Sequence, residues 1–250
     1  MAGHSKFKNI QHRKGAQDKK RAKIFSRCAK EIIVAVKEGG ADADMNPRLR
    51  LAIQNAKGQN MPNDNIARAI KTGSGEGQDA ASFENIRYEG YGPAGTAFIV
   101  EALTDNRNRT AGEVRTTFSK FGGNLGESGS VSFGFERLGN ITLDKNLVNE
   151  EELFEFLLEN ETEDYSVTDD EYILFCDQDK LHILNDKINS KYGSTNYSNL
   201  IWRSKNFISL NKDKAVKLFK LLEVLEENDD IQSVFSNFEV DDSVLTSLTA

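Results

Sequence analysis

Hydrophobic periodicity changes once along this chain, at the glycine- and serine-containing stretch GSGEGQDAAS (73–82). Ahead of it, apolar residues recur at helical spacing; beyond it, short alternating runs are mixed with helical ones. Two such patterns joined by a flexible linker predict an α+β multi-domain protein rather than one regular scaffold. A length of 250 residues agrees with two or three compact units.

The segment AQDKKRAKIFSRCAKEIIVAVK (16–37) contains no Gly or Pro and reads as a helix that Gly39 and Gly40 end. At about 100° per residue, Phe25, Cys28, Ala29, Ile32 and Val36 share one face. Lys20, Lys23, Arg27 and Lys30 lie opposite, joined by Lys19, as a row of cations suited to phosphates along a groove. Asn46-Pro47 supplies a cap and a first-turn proline for a second helix burying Leu49, Ala52, Ile53 and Ala56. A third helix starts near Pro62 with Asn63 or Asp64 as cap, buries Ile66, Ala69 and Ile70, and stops at Gly73. Together these give a basic N-terminal tail and helical domain over 1–75.

Beyond the linker, 86–88 and 96–103 read as a strand pair around a Gly-Tyr-Gly-Pro turn. Residues 110–121 read as a helix with Ala111, Val114, Thr117, Phe118 and Phe121 inward, and 130–135 alternate as a strand. A strand at 140–143, a helix at 150–160, strands at 164–168 and 171–176, a helix at 179–191 and a strand at 196–203 follow. That is βαββαβ, the ferredoxin-like order. A last helix (212–226, with Val216, Phe219 and Leu222 inward) and a strand at 231–238 complete the set begun at residue 83. The expected fold is an N-terminal three-helix domain followed by two ferredoxin-like α+β domains, one inserted in the other. The middle domain is discontinuous, 83–135 plus 206–240, and the inserted domain is 136–205.

Charge is segregated along the same divisions. Residues 1–75 hold 16 Lys/Arg against 6 Asp/Glu, and residues 76–140 hold 6 against 9. Residues 141–250 hold 10 against 24, so a net charge of −7 conceals balances of +10, −3 and −14. Such asymmetry points to a polyanion bound by one part only, the alternative being plain solvated faces. The tail GHSKFKNIQHRKG adds Lys6, Lys8, Arg13 and Lys14 with one aromatic, Phe7, which either stacks on a base or packs against the first domain. Asp105-Asn106-Arg107-Asn108-Arg109-Thr110 lies between a strand and a helix and combines turn formers with a Thr N-cap. Arg107 and Arg109 there read either as solvated side chains or as a second phosphate contact.

Other chemistries find little support. His4 and His12 lie in the basic tail and His182 on a predicted helix, in no metal-ligand pattern, so no metal is expected. The stretch 122–129 (GGNLGESG) lacks the Gly-Lys-Ser/Thr ending of a phosphate cradle and carries Glu127, so it reads as turns beside a strand. Cys28 and Cys176 form neither a disulfide framework nor a zinc knuckle and suit a reducing, cytoplasmic setting. The longest runs without a charged residue span 11 positions (90–100 and 192–202), short of the roughly 18 of a membrane helix. No apolar run follows the basic N-terminus, so no secretory signal is expected.

The motifs MAGHSKFKNIQHRKGAQDKKRAKIF, NPRLR (46–50), MPNDNIARAIKTG (61–73), YEGYGPAG (88–95), EALTDNRNRTAGEVR (101–115) and KFGGNLGESGSVSF (120–133) stand in one order. The chain thereby resembles the YebC/PmpR family, which includes mitochondrial translational activators of a cytochrome oxidase subunit. The likeness is dense over 1–135 and looser afterwards. Phe7 departs from it, since the family usually has Trp there. The resemblance implies a helical bundle, two α+β domains with one inserted, no catalytic residue and no cofactor. Relatives are described as DNA-binding transcriptional regulators and as ribosome-associated factors that relieve stalling at proline-rich stretches.

Expected, therefore, is a non-enzymatic nucleic-acid-binding regulator of gene expression, a ribosome- or rRNA-associated translation factor that relieves stalling. The alternative is a DNA-binding transcriptional regulator of promoters. No membrane and no small-molecule substrate is expected as a partner. A metal-dependent nuclease would need clustered carboxylates near the basic domain, whereas the six acids of 1–75 are scattered at 18, 31, 38, 42, 44 and 64.

Overall fold

A computed structural model of the chain describes residues 17–75, 83–160, 162, 164–241 and 244. Its elements begin with α1 (Gln17–Gly39), α2 (Pro47–Gly58) and α3 (Asn63–Gly73). There follow β1 (Glu84–Tyr91), β2 (Ala97–Thr104), α4 (Arg107–Lys120), β3 (Asn124–Leu125) and β4 (Phe135–Asp144). Next come α5 (Glu150–Glu159), β5 (Asp164–Val167), β6 (Glu171–Asp177), α6 (Leu181–Tyr192) and β7 (Tyr197–Ser204). The last are β8 (Ile208–Ser209), α7 (Lys212–Glu227), β9 (Ile231–Ser236) and β10 (Phe238–Glu239). This is the expected α+β multi-domain fold with an N-terminal helical region. The described residues divide into two compact units, one of α1 up to Arg27 with 83–136 and 202 onward, the other of 28–75 and 137–201.

Asn46 organises the start of the second unit. Its amide nitrogen donates to Ala35 O (2.7 Å) and Gly40 O (2.8 Å), while its oxygen accepts from Leu49 N (3.0 Å). One buried side chain thus closes the C-terminus of α1 and caps α2. For α3 the cap position is Pro62, with no side-chain cap bond, so the expected Asn63 or Asp64 instead opens the helix itself. Gly73 ends α3 against α1: an added Cβ would lie 2.7 Å from the Val36 Cβ.

The second unit carries the sheet β5-β6-β4-β7, the ferredoxin-like strand order. Antiparallel register sets Ile141 opposite Leu174 and Leu143 opposite Tyr172. Leu153, Phe156 and Leu157 of α5 and Leu181, Leu184 and Ile188 of α6 cover that face, giving one core. β7 is an outer strand, and α2 covers it. The Asn55 amide donates to Ser198 O (2.6 Å) and accepts from Ser198 N (2.9 Å), pairing with β7 much as a strand would. Beside it, Gln54 is bonded to Asn185, Asn189 and Thr195.

In the first unit the sheet order is β3-β1-β2-β9, every neighbour antiparallel. Its layout of four strands and two helices is ferredoxin-like, but the chain visits it in the order ββαβ, then αβ after the insertion. Val114 and Phe118 of α4 pack with Leu218, Leu222 and Leu225 of α7 over Tyr88, Phe98, Val100 and Val234. On the opposite face Ala97 and Ile99 meet Val131, Phe135 and Trp202. The expected strand at 130–135 is corrected: a 3-10 turn (Ser132–Gly134) occupies it, and β4 starts only at Phe135. The reason is Glu89, whose buried Oε2 accepts from Val131 N (3.0 Å) and Ser132 N (2.9 Å) and so removes those donors from any ladder.

Candidate nucleic-acid interface

Two basic motifs far apart in sequence converge at the C-terminal end of α7. Lys23 of α1 donates to Glu227 O and stands 4.0 Å from the Asp229 carboxylate. Arg27, one turn later, donates to Glu226 O. These are the last carbonyls of α7, the negative end of the helix dipole, where a cation is favourable. Residues 228–230 then lead into β9, and the buried Asp230 carboxylate accepts from Arg109 Nη2 (2.6 Å), Thr110 Oγ1 (2.8 Å) and Thr104 Oγ1 (3.0 Å).

The α4 terminus is built differently from the sequence reading. The cap is Asn106, whose side chain accepts from Arg109 N (3.1 Å), and not Thr110. Thr110 lies inside the helix, fully buried, with its hydroxyl bonded to Asp230 and to Thr104 Oγ1. Nor is Arg109 a merely solvated arginine. It bridges Asp230 and Asp105 (2.9 Å), and these bonds raise its already high pKa further. Arg107, the first residue of α4, is exposed, and no acid among the described residues pairs with it.

A shallow open groove of about 650 Å³ runs between α4 and α7, lined by Asn108, Arg109, Gly112, Thr116, Val224 and Asn228. Glu113 and Glu227 also border it, so its charge is mixed and it is not a pocket of one sign. Among the described residues no three His, Cys, Asp or Glu side chains gather as a metal site would need, and no helix is long and apolar enough to cross a membrane.

Lys30 is half-buried on the part of α1 that belongs to the second unit. For Lys19 and Lys20 the description covers the helical backbone alone. Lys6, Phe7, Lys8, Arg13 and Lys14, like His4 and His12, lie outside the described residues. Spacing did not single out Arg68 and Lys71, exposed on α3, although two cations three positions apart on a helix are a usable signal. Nor did it single out Phe133, whose ring is 76% exposed at the 3-10 turn.

A family model described as the TACO1/YebC second and third domain matches residues 83–238. A second, the TACO1/YebC protein N-terminal domain, matches residues 5–76. Among solved structures, a conserved hypothetical protein, Aq1575 from Aquifex aeolicus, is similar at 43% sequence identity and a TM-score of 0.82. That likeness covers 90% of this chain and 93% of the other.

Proposed function

We propose, from the premise that this chain belongs to the TACO1/YebC family, whose main model is regulator-like, a non-enzymatic role in gene expression through nucleic-acid binding. Its place of action is the ribosome, where it contacts rRNA in the cytoplasm as a translation factor that relieves stalling. The observation that carries this reading is charge segregation: +10 over residues 1–75 against −14 over 141–250. A polyanion attracts the first and repels the second, so binding orients the molecule with its basic segment inward.

The α1 stripe supports phosphate contact less than its spacing suggests, because Lys23 and Arg27 already serve the α7 carbonyls. Phosphate contact therefore falls to the basic tail, to Lys19 and Lys20, and to Arg107. Arg109 positions Asp230 and reaches a phosphate only from its exposed side. Lysine predominates in the tail and stripe, which favours shape and phosphate recognition of structured RNA over base-edge reading.

Promoter DNA is the competing reading, favoured by the regulator-like family model. Crosslinking the full chain in cells and sequencing the recovered nucleic acid separates the two. Recovery of rRNA is expected; recovery of discrete promoter segments would overturn the ribosome reading.

A further inference from the structure

The two outer strands of the second unit's sheet differ. β7 is covered by α2 through Asn55, whereas β5 forms the other edge and borders an exposed apolar strip. On α5, Phe154 and Leu158 are one turn apart on the same flank, 46% and 66% exposed. The Phe154 ring lies 6.3 Å from that of Tyr165 on β5, and Val167, two residues on and therefore on the same strand face, is 41% exposed. Apolar residues scattered singly over a surface need no explanation, but three exposed ones on one helix flank and the neighbouring edge strand, beside the half-buried Tyr165, do.

Acids surround the strip. Glu150 and Glu151 stand exposed in the first turn of α5 and Glu155 on its outer side. The Tyr165 hydroxyl reaches Glu150 Oε1 (3.4 Å). Two nearby cations are already engaged: Lys191 stands 3.8 Å from Glu152 of α5, and Lys187 donates to Asn160 (2.7 Å). Lys145 donates to Thr168 O (3.1 Å), beyond the end of β5.

We propose that this α5–β5 flank docks a lysine- or arginine-rich protein segment carrying apolar anchors. Charge complementarity selects that occupant. A second copy of the chain docking through the same flank would set acid against acid. Nucleic acid is repelled by the same field. A basic segment neutralises the rim while its apolar side chains cover Phe154, Leu158 and Val167, the arrangement of a buried apolar centre inside a polar margin.

The test uses the full chain and a synthetic peptide of about a dozen residues, lysine-rich with leucine at every third position. Its control has serine for each leucine at equal charge. The leucine peptide should bind about tenfold tighter than the serine peptide, and its amide shift changes should map to α5 and β5. The double substitution Phe154→Ser and Leu158→Ser, at exposed positions that circular dichroism can check for folding, should bring both peptides to one affinity. Glu151→Gln with Glu155→Gln should weaken both peptides severalfold. Unchanged leucine-peptide affinity in the serine double variant, or shift changes confined to other elements, would overturn the proposal. So would a concentration-dependent dimer that the double variant abolishes, or displacement of the peptide by RNA from α5 and β5.

Discussion

Asp230, at the entry to β9, holds Arg109 at the first turn of α4 through a 2.6 Å hydrogen bond, across 121 positions of sequence. Two buried threonine hydroxyls share the same carboxylate. The arrangement ties the strand that completes the first sheet to the helix beneath it, and it turns a basic motif into an internal joint.

Replacing Asp230 by Ala should therefore remove the acceptor of the buried Thr104 hydroxyl and one partner of Arg109, while Thr110 keeps Thr104 Oγ1 and Asn106 O. A loss of about 1–3 kcal/mol is expected, the typical cost of one stranded buried group. Urea unfolding reads it. A loss below a few tenths would show that the joint contributes nothing.

Glu89 makes stability depend on pH. Burial pushes its carboxyl up, but the backbone donors of Val131, Gly129 and Ser132 outweigh burial and leave it below the ordinary value of 4.5. A depressed carboxylate stabilises fully above its unfolded value and ceases to as pH falls through its folded one. Glu89→Gln should thus be less stable than the parent at pH 7 by about 1–2 kcal/mol. That gap should narrow below pH 4.5. A gap that stays constant from pH 7 to acid would contradict the mechanism.

Arg107 separates binding from folding. As an exposed residue without an acidic partner among the described residues, it should tolerate Gln with no change in melting temperature. If it touches a phosphate, the log-log salt slope for RNA binding should fall by about 0.7–0.9. Lys23→Gln with Arg27→Gln should behave oppositely, lowering the melting temperature through α7 while changing the slope less than two full contacts would. Equal slope changes with no loss of stability would restore the reading of a pure phosphate stripe.

Duplex DNA should be read poorly. A promoter reader gains about 1–3 kcal/mol per correct base pair, mainly from bidentate Arg, Asn or Gln. Discrimination between a candidate operator and scrambled DNA should remain under about tenfold, or about 1.4 kcal/mol, at physiological salt. Competition binding against ribosomes checks it, and a thousandfold preference for one DNA site would decide for transcription.

Local chemistry was legible in the sequence wherever period and punctuation agreed. The run Glu171–Asp177 and the helix of Glu150–Glu159 stand where their patterns put them, and Asn46-Pro47 caps α2 as read. Reading faltered where a distant group decided the outcome. Thr110 looks like a cap until Asp230 takes its hydroxyl, and 131–132 look like strand until Glu89 takes their amides. The α1 stripe has the spacing of a phosphate binder, but Lys23 and Arg27 meet carbonyls 204 and 199 positions away. No local window contains those partners.

The pairing of β2 with β9 has a consequence for synthesis. While the ribosome builds this chain, β2 emerges with one side unpaired and stays so from Thr104 until Ile231 has been made. The βαββαβ segment in between has all four of its strands well before that point and can form its sheet first. The first sheet is thus the later to close, and its open strand edge is the stretch of nascent chain most in need of a chaperone or of slow decoding ahead of β9.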